Sequence, residues 1–311
     1  MTDILAVGEV LIDLTQTGSH NAVPQYAAFP GGAPANVAVA GAKLGAATAF
    51  CGKIGQDAFG DQLHDTLQAA GVNTDHLHRC SSPTTLAVVS LDEEGERSFS
   101  FYRENSADTR LTPDESVAAL DCAPRVLHFG SVSLTHTPAR TATLSAVREA
   151  KNRGITISYD PNYRPALWQA ELLACICMTK PLPFVDILKV SEEELPLLAG
   201  CDDPEQGTQL LAQQGISLIL VTLGADGVYY RLGENTGTVP GVSVQVADTN
   251  GAGDTFLGAV LARLCRREEG LLVGLTTAEL EDILSFANRA AAITCSRPGA
   301  IPAMPTRDEL T

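Results

Sequence analysis

The stretch Asp248-Thr249-Asn250-Gly251-Ala252-Gly253-Asp254 combines residue types that phosphoryl transfer to an alcohol requires. Gly251 and Gly253 let the backbone turn at little steric cost. The apolar run from Phe256 through Leu261 and Leu264 has the spacing of a buried helix face, so a helix is predicted to begin near Ala252 or Gly253. A helix start leaves backbone N–H groups without intrahelical acceptors and carries partial positive charge, so successive amides there can hold phosphate oxygens. Asp254, in the first turn, is placed to take a proton from a hydroxyl beside that anion site. A helix cap explains the same residues, and taken alone the local pattern favours it.

Other polar groups stand where a ligand could meet them. Ile4-Leu5-Ala6-Val7-Gly8 and the following Glu9 to Leu14 read as a buried strand whose exit delivers Asp13, to a sugar hydroxyl or simply to solvent. Gly31-Gly32-Ala33-Pro34-Ala35-Asn36 opens a small-faced apolar helix ending near Gly45, with Pro34 in its first turn. Asn36, the polar group of that turn, must find hydrogen bonds, from a polyol across Gly31 and Gly32 or from an internal cap. At Asp160-Pro161-Asn162-Tyr163-Arg164-Pro165 an acid, an amide and a cation follow a strand, in a loop stiffened by prolines. Arg164 suits an anionic group or phosphate oxygens, or a structural pair with Asp160.

The elements that must position these groups alternate strand and helix. Strands are predicted at 48–54, 126–131, 156–160, 187–190 and 218–221, and helices after Asp57, Thr112, Thr137 and Ser191 and over 283–295. Thr112 with Glu115, and Ser191 with Glu194, read as capping boxes. Between Thr84 and Arg103 the rhythm changes to a hairpin, Leu86 to Leu91 and Arg97 to Arg103, joined by Asp92-Glu93-Glu94-Gly95-Glu96. With the polar, turn-rich segment 14–29 it is predicted to form a small sheet outside the main one. Gly224 and Gly227, after Thr222, bring backbone close to a nucleotide or simply turn a hairpin.

With 45% hydrophobic residues, the chain can bury a large core. A net charge of −16 without a basic block argues against nucleic acid and anionic membrane as partners. The eight cysteines lack Cys-x-x-Cys spacing, and no apolar run approaches a membrane span. The start Met-Thr-Asp-Ile lacks the features of a signal peptide, so a cytoplasmic location is expected.

The Gly31 to Asn36 and Asp248 to Asp254 motifs, with Asp160-Pro161-Asn162 and Thr222-x-Gly-x-x-Gly between them, resemble the two signatures of the ribokinase-like (phosphofructokinase-B) carbohydrate kinases, and the match runs from Gly8 to Pro302. There is no Walker loop and no third glycine at dinucleotide-site spacing, which disfavours P-loop kinases and Rossmann dehydrogenases. The resemblance implies a three-layer αβα sandwich with a mostly parallel central sheet. It implies one kinase domain over 1–311, with a lid from about 14–30 and 84–103. Asp254 corresponds to the catalytic base and the amides of Gly251, Ala252 and Gly253 to the anion hole. Asp13, Gly31, Gly32, Asn36, Tyr102, Arg103 and Arg164 correspond to the sugar side. Lys189, Ser191, Thr222, Gly224, Gly227 and Asn288 fall to ATP. Glu194 belongs to the magnesium network, and Asp248, Asn250 and Gly299 to a potassium site. Ser191 stands where the family often has Asn, and Asn250 where Thr is commoner.

Within the family, Arg97-Ser-Phe-x-Phe-Tyr102-Arg103 and Lys189-Val-Ser-Glu-Glu-Glu194 look most like bacterial fructokinases. Kinases of 2-keto-3-deoxygluconate and of aminoimidazole riboside or ribose are the alternatives, and a catalytically silent sugar or nucleotide sensor is the alternative of a different class. An apolar lid face needs a ligand or a second copy, so a homodimer through the lid is expected.

Overall fold

The computed structural model describes residues 2–21, 23–91 and 97–310; the acidic stretch 92–96, expected to join the hairpin, lies outside them. β1 (Thr2–Val7) is apolar on both sides: Leu5 and Val7 face one core cluster, Ile4 and Ala6 two others. Such a strand is buried on both faces. The chain then turns at Gly8, where a Cβ would stand 2.7 Å from the Pro34 ring. The single strand expected through Leu14 is therefore two. β2 (Leu11–His20) starts a separate sheet, pairs antiparallel with β3 (Val23–Gly31), and carries Asp13 in its interior rather than at the exit of β1. Apolar periodicity does not separate one long strand from two joined by a glycine.

α1 (Ala33–Lys43) begins immediately after Gly32, with Pro34 in its first turn and Gly45 left-handed (φ 89°) past its end. β4 (Thr48–Gly55), α2 (Ala58–Ala69) and β5 (Asn73–Cys80) follow, α2 capped by Asp57, whose carboxylate accepts the Gly60 N–H at 2.8 Å. β6 (Leu86–Leu91) and β7 (Arg97–Tyr102) form the expected hairpin and complete the small sheet, in the order β3-β2-β6-β7 with β2 and β6 parallel.

The remaining chain builds the other half of the main sheet. α3 (Pro113–Ala118) opens on the Thr112–Glu115 capping box, then come β8 (Pro124–Gly130), α4 (Ala139–Asn152), β9 (Thr156–Asp160) and α5 (Glu171–Thr179). β10 (Ile187–Ser191), α6 (Leu195–Ala199), α7 (Pro204–Ala212), β11 (Leu218–Thr222), β12 (Val228–Leu232) and β13 (Asn235–Val239) lead to the two long closing helices, α8 (Ala252–Leu264) and α9 (Thr277–Cys295). α9 starts earlier than the apolar run from Ile283 suggests, because Thr276 caps the Glu279 N–H and the first turns show acidic residues to solvent.

The nine-stranded order is β13-β12-β11-β10-β9-β8-β1-β4-β5, parallel except at β12 and β13. Chain order reverses around β1, and open α/β sheets hold ligands beyond the carboxyl ends of strands at such a point. α8 and α9 cover one face, burying Leu257 and Leu284 with Ile4, Val126 and Ile187. α4 and α7 cover the other, burying Val147 and Leu211 with Leu127, Ile157 and Ile219. This is the three-layer αβα sandwich with a small accessory sheet that the sequence resemblance implies.

α1 and α8 carry the two glycine motifs and approach almost backbone to backbone. A Cβ on Gly258 would lie 2.6 Å from the Ala40 methyl and 2.9 Å from the Val37 carbonyl oxygen. Gly258→Val should therefore overpack this contact and lower stability in urea unfolding by about 1–3 kcal/mol. Adding Ala40→Gly should recover part of the loss; strictly additive effects would show that the two helices are not coupled there.

Candidate active site

Asp254 occupies the first turn of α8 and is 7% exposed. Its Oδ2 accepts a hydrogen bond from Asn36 Nδ2 at 2.8 Å, and its Oδ1 one from Asn162 Nδ2 at 3.3 Å. Burial, and then the Asp160 charge, push the Asp254 carboxyl up to about 6, against the opposing pull of Asn36, Lys189 and Arg164. A carboxyl so placed is ionised at neutral pH yet basic enough to accept a proton. Asn162 adopts a left-handed φ of 47° directly after Pro161, which turns its amide back toward the helix start.

Below the helix start lies a buried ion pair. Lys189 Nζ sits 3.0 Å from Asp160 Oδ2, and also 3.0 Å from where a Gly253 Cβ would stand. Burial disfavours the ammonium, but Asp160, Glu194 and Asp254 outweigh it and hold its pKa above the usual value. A fixed cation and the partial positive charge of the helix N-terminus therefore coincide. Helix geometry leaves the N–H groups of Gly253 and Asp254 without intrahelical acceptors. The Ala252 N–H is turned to the Thr249 carbonyl at 3.3 Å, which narrows the expected three-amide hole.

Successive residues of this turn face two different cavities. Asn250 and Asp254 border one that is also lined by Glu9, Asp13, Asn36, Phe101, Asn162 and Arg164. Thr249, Ala252 and Gly253 border a second cavity, of about 580 Å³, with Thr222, Gly224, Gly227 and Asn288 and an apolar wall that includes Val242, Val244 and Ala291. That volume suits a nucleotide. The start of α8 is thus the partition between the cavities, with the Asp254 carboxyl on one side and the free amides of the helix start beside it. A larger cavity of about 930 Å³ opens at the amino ends of the strands, but its charges pair internally, Lys151 with Asp186 and Arg153 with Asp121, and it lies away from Asp254.

Several expected contacts are corrected. Tyr102 is 67% exposed and points out of the sugar-side cavity; its neighbour Phe101 lines it instead, because adjacent strand residues face opposite sides. Arg103 is buried and engaged with Asp108 at 2.7 Å and the Val132 carbonyl at 3.1 Å, so it ties the root of the small sheet to the main body. Gly31 acts through its neighbour, since a Cβ there would fall 2.5 Å from Asp13 Oδ2. The Asn250 side chain hydrogen-bonds Asp13, while its backbone N–H donates to Asp248. Burial raises the Asp13 carboxyl to about 6, with Asn250 and Arg164 opposing.

On the nucleotide side, Lys189 and Ser191 do not border the second cavity. Ser191 and Glu194 form the reciprocal cap, at 2.9 and 3.2 Å, and Glu194 Oε1 also accepts the Tyr163 N–H at 2.6 Å. Both Glu194 oxygens thus serve backbone groups, and direct magnesium ligation would compete with them. Asn288 borders the cavity while donating to the Val239 and Pro240 carbonyls. Asp248 accepts the Asn250 N–H at 2.9 Å and the Gly299 N–H at 3.1 Å, joining the two loops assigned to a cation. Arg164 stays exposed at the mouth of the sugar-side cavity and does not pair with Asp160, whose partner is Lys189.

Residues 1–307 match the family model of the pfkB family carbohydrate kinases. The chain belongs to this family. Fructokinase-1 of Zea mays is 41% identical over 312 residues, covering 99% of this chain and 96% of the relative, and probable fructokinase-4 of Arabidopsis thaliana is 40% identical. A fructokinase from Xylella fastidiosa, solved with bound ATP, superposes with a TM-score of 0.92 at 36% identity, covering 99% of this chain and 96% of that one. A fructokinase double mutant from Vibrio cholerae, solved with fructose, ADP and potassium, gives 0.88 at 34% identity, with 100% and 97% covered. An aminoimidazole riboside kinase from Salmonella enterica gives 0.84 at 28% identity, with 99% and 98% covered.

Three residues of this pfkB-family site escaped assignment from sequence. In sequence Glu9 belongs to an apolar strand-like run, Asn162 sits in a proline loop and Phe101 adjoins Tyr102, and all three line the cavity. The one local signal was the glycine before Glu9, which marks a turn.

If Asp254 is the base of this pfkB-family kinase, kcat/KM should climb about tenfold per pH unit below about 6 and level off above it. Asp254→Asn should abolish that limb and cost ~10²–10⁴ in rate. Because the folded pKa lies above the ordinary 3.8, the Asp254 carboxyl erodes stability as pH rises from about 3.8 to about 6. Asp254→Asn should therefore unfold no more easily than the parent at pH 8; a large loss of stability would mean that the charge is structural.

Proposed function

We propose that this chain transfers the γ-phosphoryl group of ATP to the primary hydroxyl of fructose. The observation that carries the proposal is the partition: a buried, raised-pKa carboxylate on the sugar side of a helix start whose amides open on a nucleotide-sized cavity. Asp254 takes the hydroxyl proton, and the sugar oxygen attacks the γ-phosphorus in line. The new O–P bond forms as the bond to the β-phosphate oxygen breaks, releasing ADP and fructose 6-phosphate. The Gly253 amide, the helix dipole and Lys189 beneath them favour the charge on the group in transit. ATP enters as its magnesium complex, the ion carried chiefly by the phosphates.

The choice of a neutral ketose rests on the polar inventory of the first cavity. Asn36 Oδ1 and Glu9 Oε2 are buried without partners among the described residues, and Asp13 and Asp254 are carboxyls, so the lining is rich in acceptors. Hydroxyl donors suit such a lining, whereas a sugar acid needs a dedicated cation. Arg103 is committed to Asp108, which leaves Arg164 at the mouth. A silent sensor has no use for a base anchored by two amides. We extend the proposal to a homodimer through the small sheet, where Val23, Tyr26 and Tyr102 are exposed, and to a cytoplasmic location.

In a panel of fructose, 2-keto-3-deoxygluconate and ribose with MgATP, fructose should give the highest kcat/KM. Arg164→Ala should lower the rate with every sugar alike. A parent enzyme that prefers the keto acid, and loses that preference selectively in Arg164→Ala, would overturn the assignment; no sugar-dependent ATP consumption at all would favour the sensor. Potassium should raise turnover over sodium at equal ionic strength, since Asp248 draws the 248–250 turn and the Gly299 loop together at the side of α8. Equal rates would remove the cation site.

A further inference from the structure

Glu9 follows β1 in the turn that leads to the small sheet, and it is 2% exposed. Its Oε1 accepts the Ala33 N–H at 3.2 Å, at the start of α1. Its Oε2 takes no hydrogen bond from any described residue, although it is wholly buried. Glu9 borders the same cavity as Asp13, Asn36 and Asp254. Capping α1 explains Oε1 and leaves Oε2 without a purpose. An unsatisfied carboxylate oxygen in the interior is costly and demands a partner.

We propose that Glu9 is a further specificity-determining residue of the sugar cavity, whose Oε2 binds a hydroxyl of the acceptor other than the one phosphorylated. The inference rests on the sugar-kinase reading and adds a residue to it. Asn36, which lines the same cavity, likewise has a buried oxygen, Oδ1, with no hydrogen bond from any described residue, and two such acceptors suit a ligand with more than one hydroxyl. Burial raises the Glu9 carboxyl to about 7, against the dipoles of its own N–H and that of Ala33, while behind it Arg103 lowers and Asp108 raises the value. Near neutrality the group is available both as acid and as carboxylate, and a hydroxyl can accept from the one and donate to the other.

The test compares the full-length parent with Glu9→Ala and Glu9→Gln, using fructose and its series of monodeoxy analogues as acceptors, with thermal unfolding in parallel. Glu9→Ala should raise the KM for fructose by roughly 10–100-fold while leaving the KM for ATP and kcat within about twofold. Glu9→Gln keeps an acceptor for Ala33 and a polar atom at the Oε2 position, and should restore most of the loss. One deoxy analogue should be as poor for the parent as fructose is for Glu9→Ala, and should lose nothing further in that variant. An unchanged fructose KM overturns the proposal, as does a uniform loss across the deoxy series accompanied by a falling melting temperature that Gln does not rescue. If Glu9→Ala does not fold, Glu9→Gln across the deoxy series decides, because a hydroxyl-specific change in discrimination supports the contact and identical discrimination overturns it. A parent without fructose-dependent ATP turnover would fail the kinase reading itself, a different outcome from an active parent indifferent to Glu9.

Discussion

The hydrogen bond from Asn36 to Asp254 joins residues 218 positions apart and is the contact on which the site depends. A carboxylate buried this deeply is unfavourable unless it is hydrogen-bonded, and burial leaves it more basic than an exposed one. The bond forms because α1 and α8 are built of small residues where they cross. Gly258 against Ala40 lets the backbones come close enough for a short amide to reach across. Any larger side chain at that crossing would lengthen the reach that Asn36 must make.

Electrostatics are arranged locally, against the sign of the whole molecule. A chain with a net charge of −16 offers no general attraction to a phosphate, and the local positive potential comes from a helix N-terminus with Lys189 buried under it. Asp160 keeps Lys189 charged in the interior and at the same time raises Asp254. Asn162, two residues on from Asp160, donates to Asp254 and takes its backbone direction from the same loop. The ion pair, the Asp254 carboxyl and the helix start are thus one coupled unit, so a substitution at Asp160 or Lys189 would be felt at Asp254.

The small sheet is anchored as firmly as it is exposed. Arg103, at its root, binds Asp108, Thr135 and the Val132 carbonyl, while Thr85 and Ser106 hydrogen-bond Asp108 from neighbouring segments. Val132 also borders the sugar-side cavity, so the root of the sheet and the floor of the site share a residue.

The alternation of strands and helices, the caps at Asp57 and Thr112, the starts of α1 and α8 and the family of the chain were all legible in the sequence, because each rests on local spacing or on glycine and proline geometry. The placement of Asp254 was legible as well: an acid in the first turn of a helix opened by glycines needs no distant partner to be noticed. What the sequence left open concerns which way side chains face and what they meet. Tyr102 and Phe101 are neighbours in one strand, and only the docking of the small sheet decides that Phe101 turns inward. Arg103 and Arg164 are equally cationic in sequence, yet one is consumed by Asp108 and the other stands at the cavity mouth. The partners of Asn250 and Glu194 were hidden for the same reason, since a hydrogen bond to Asp13 or to the Tyr163 N–H requires loops from distant segments to be in place. Glu9 became visible only when folding buried its carboxylate and left one oxygen without a partner, a property of the assembled cavity that no spacing of residues records.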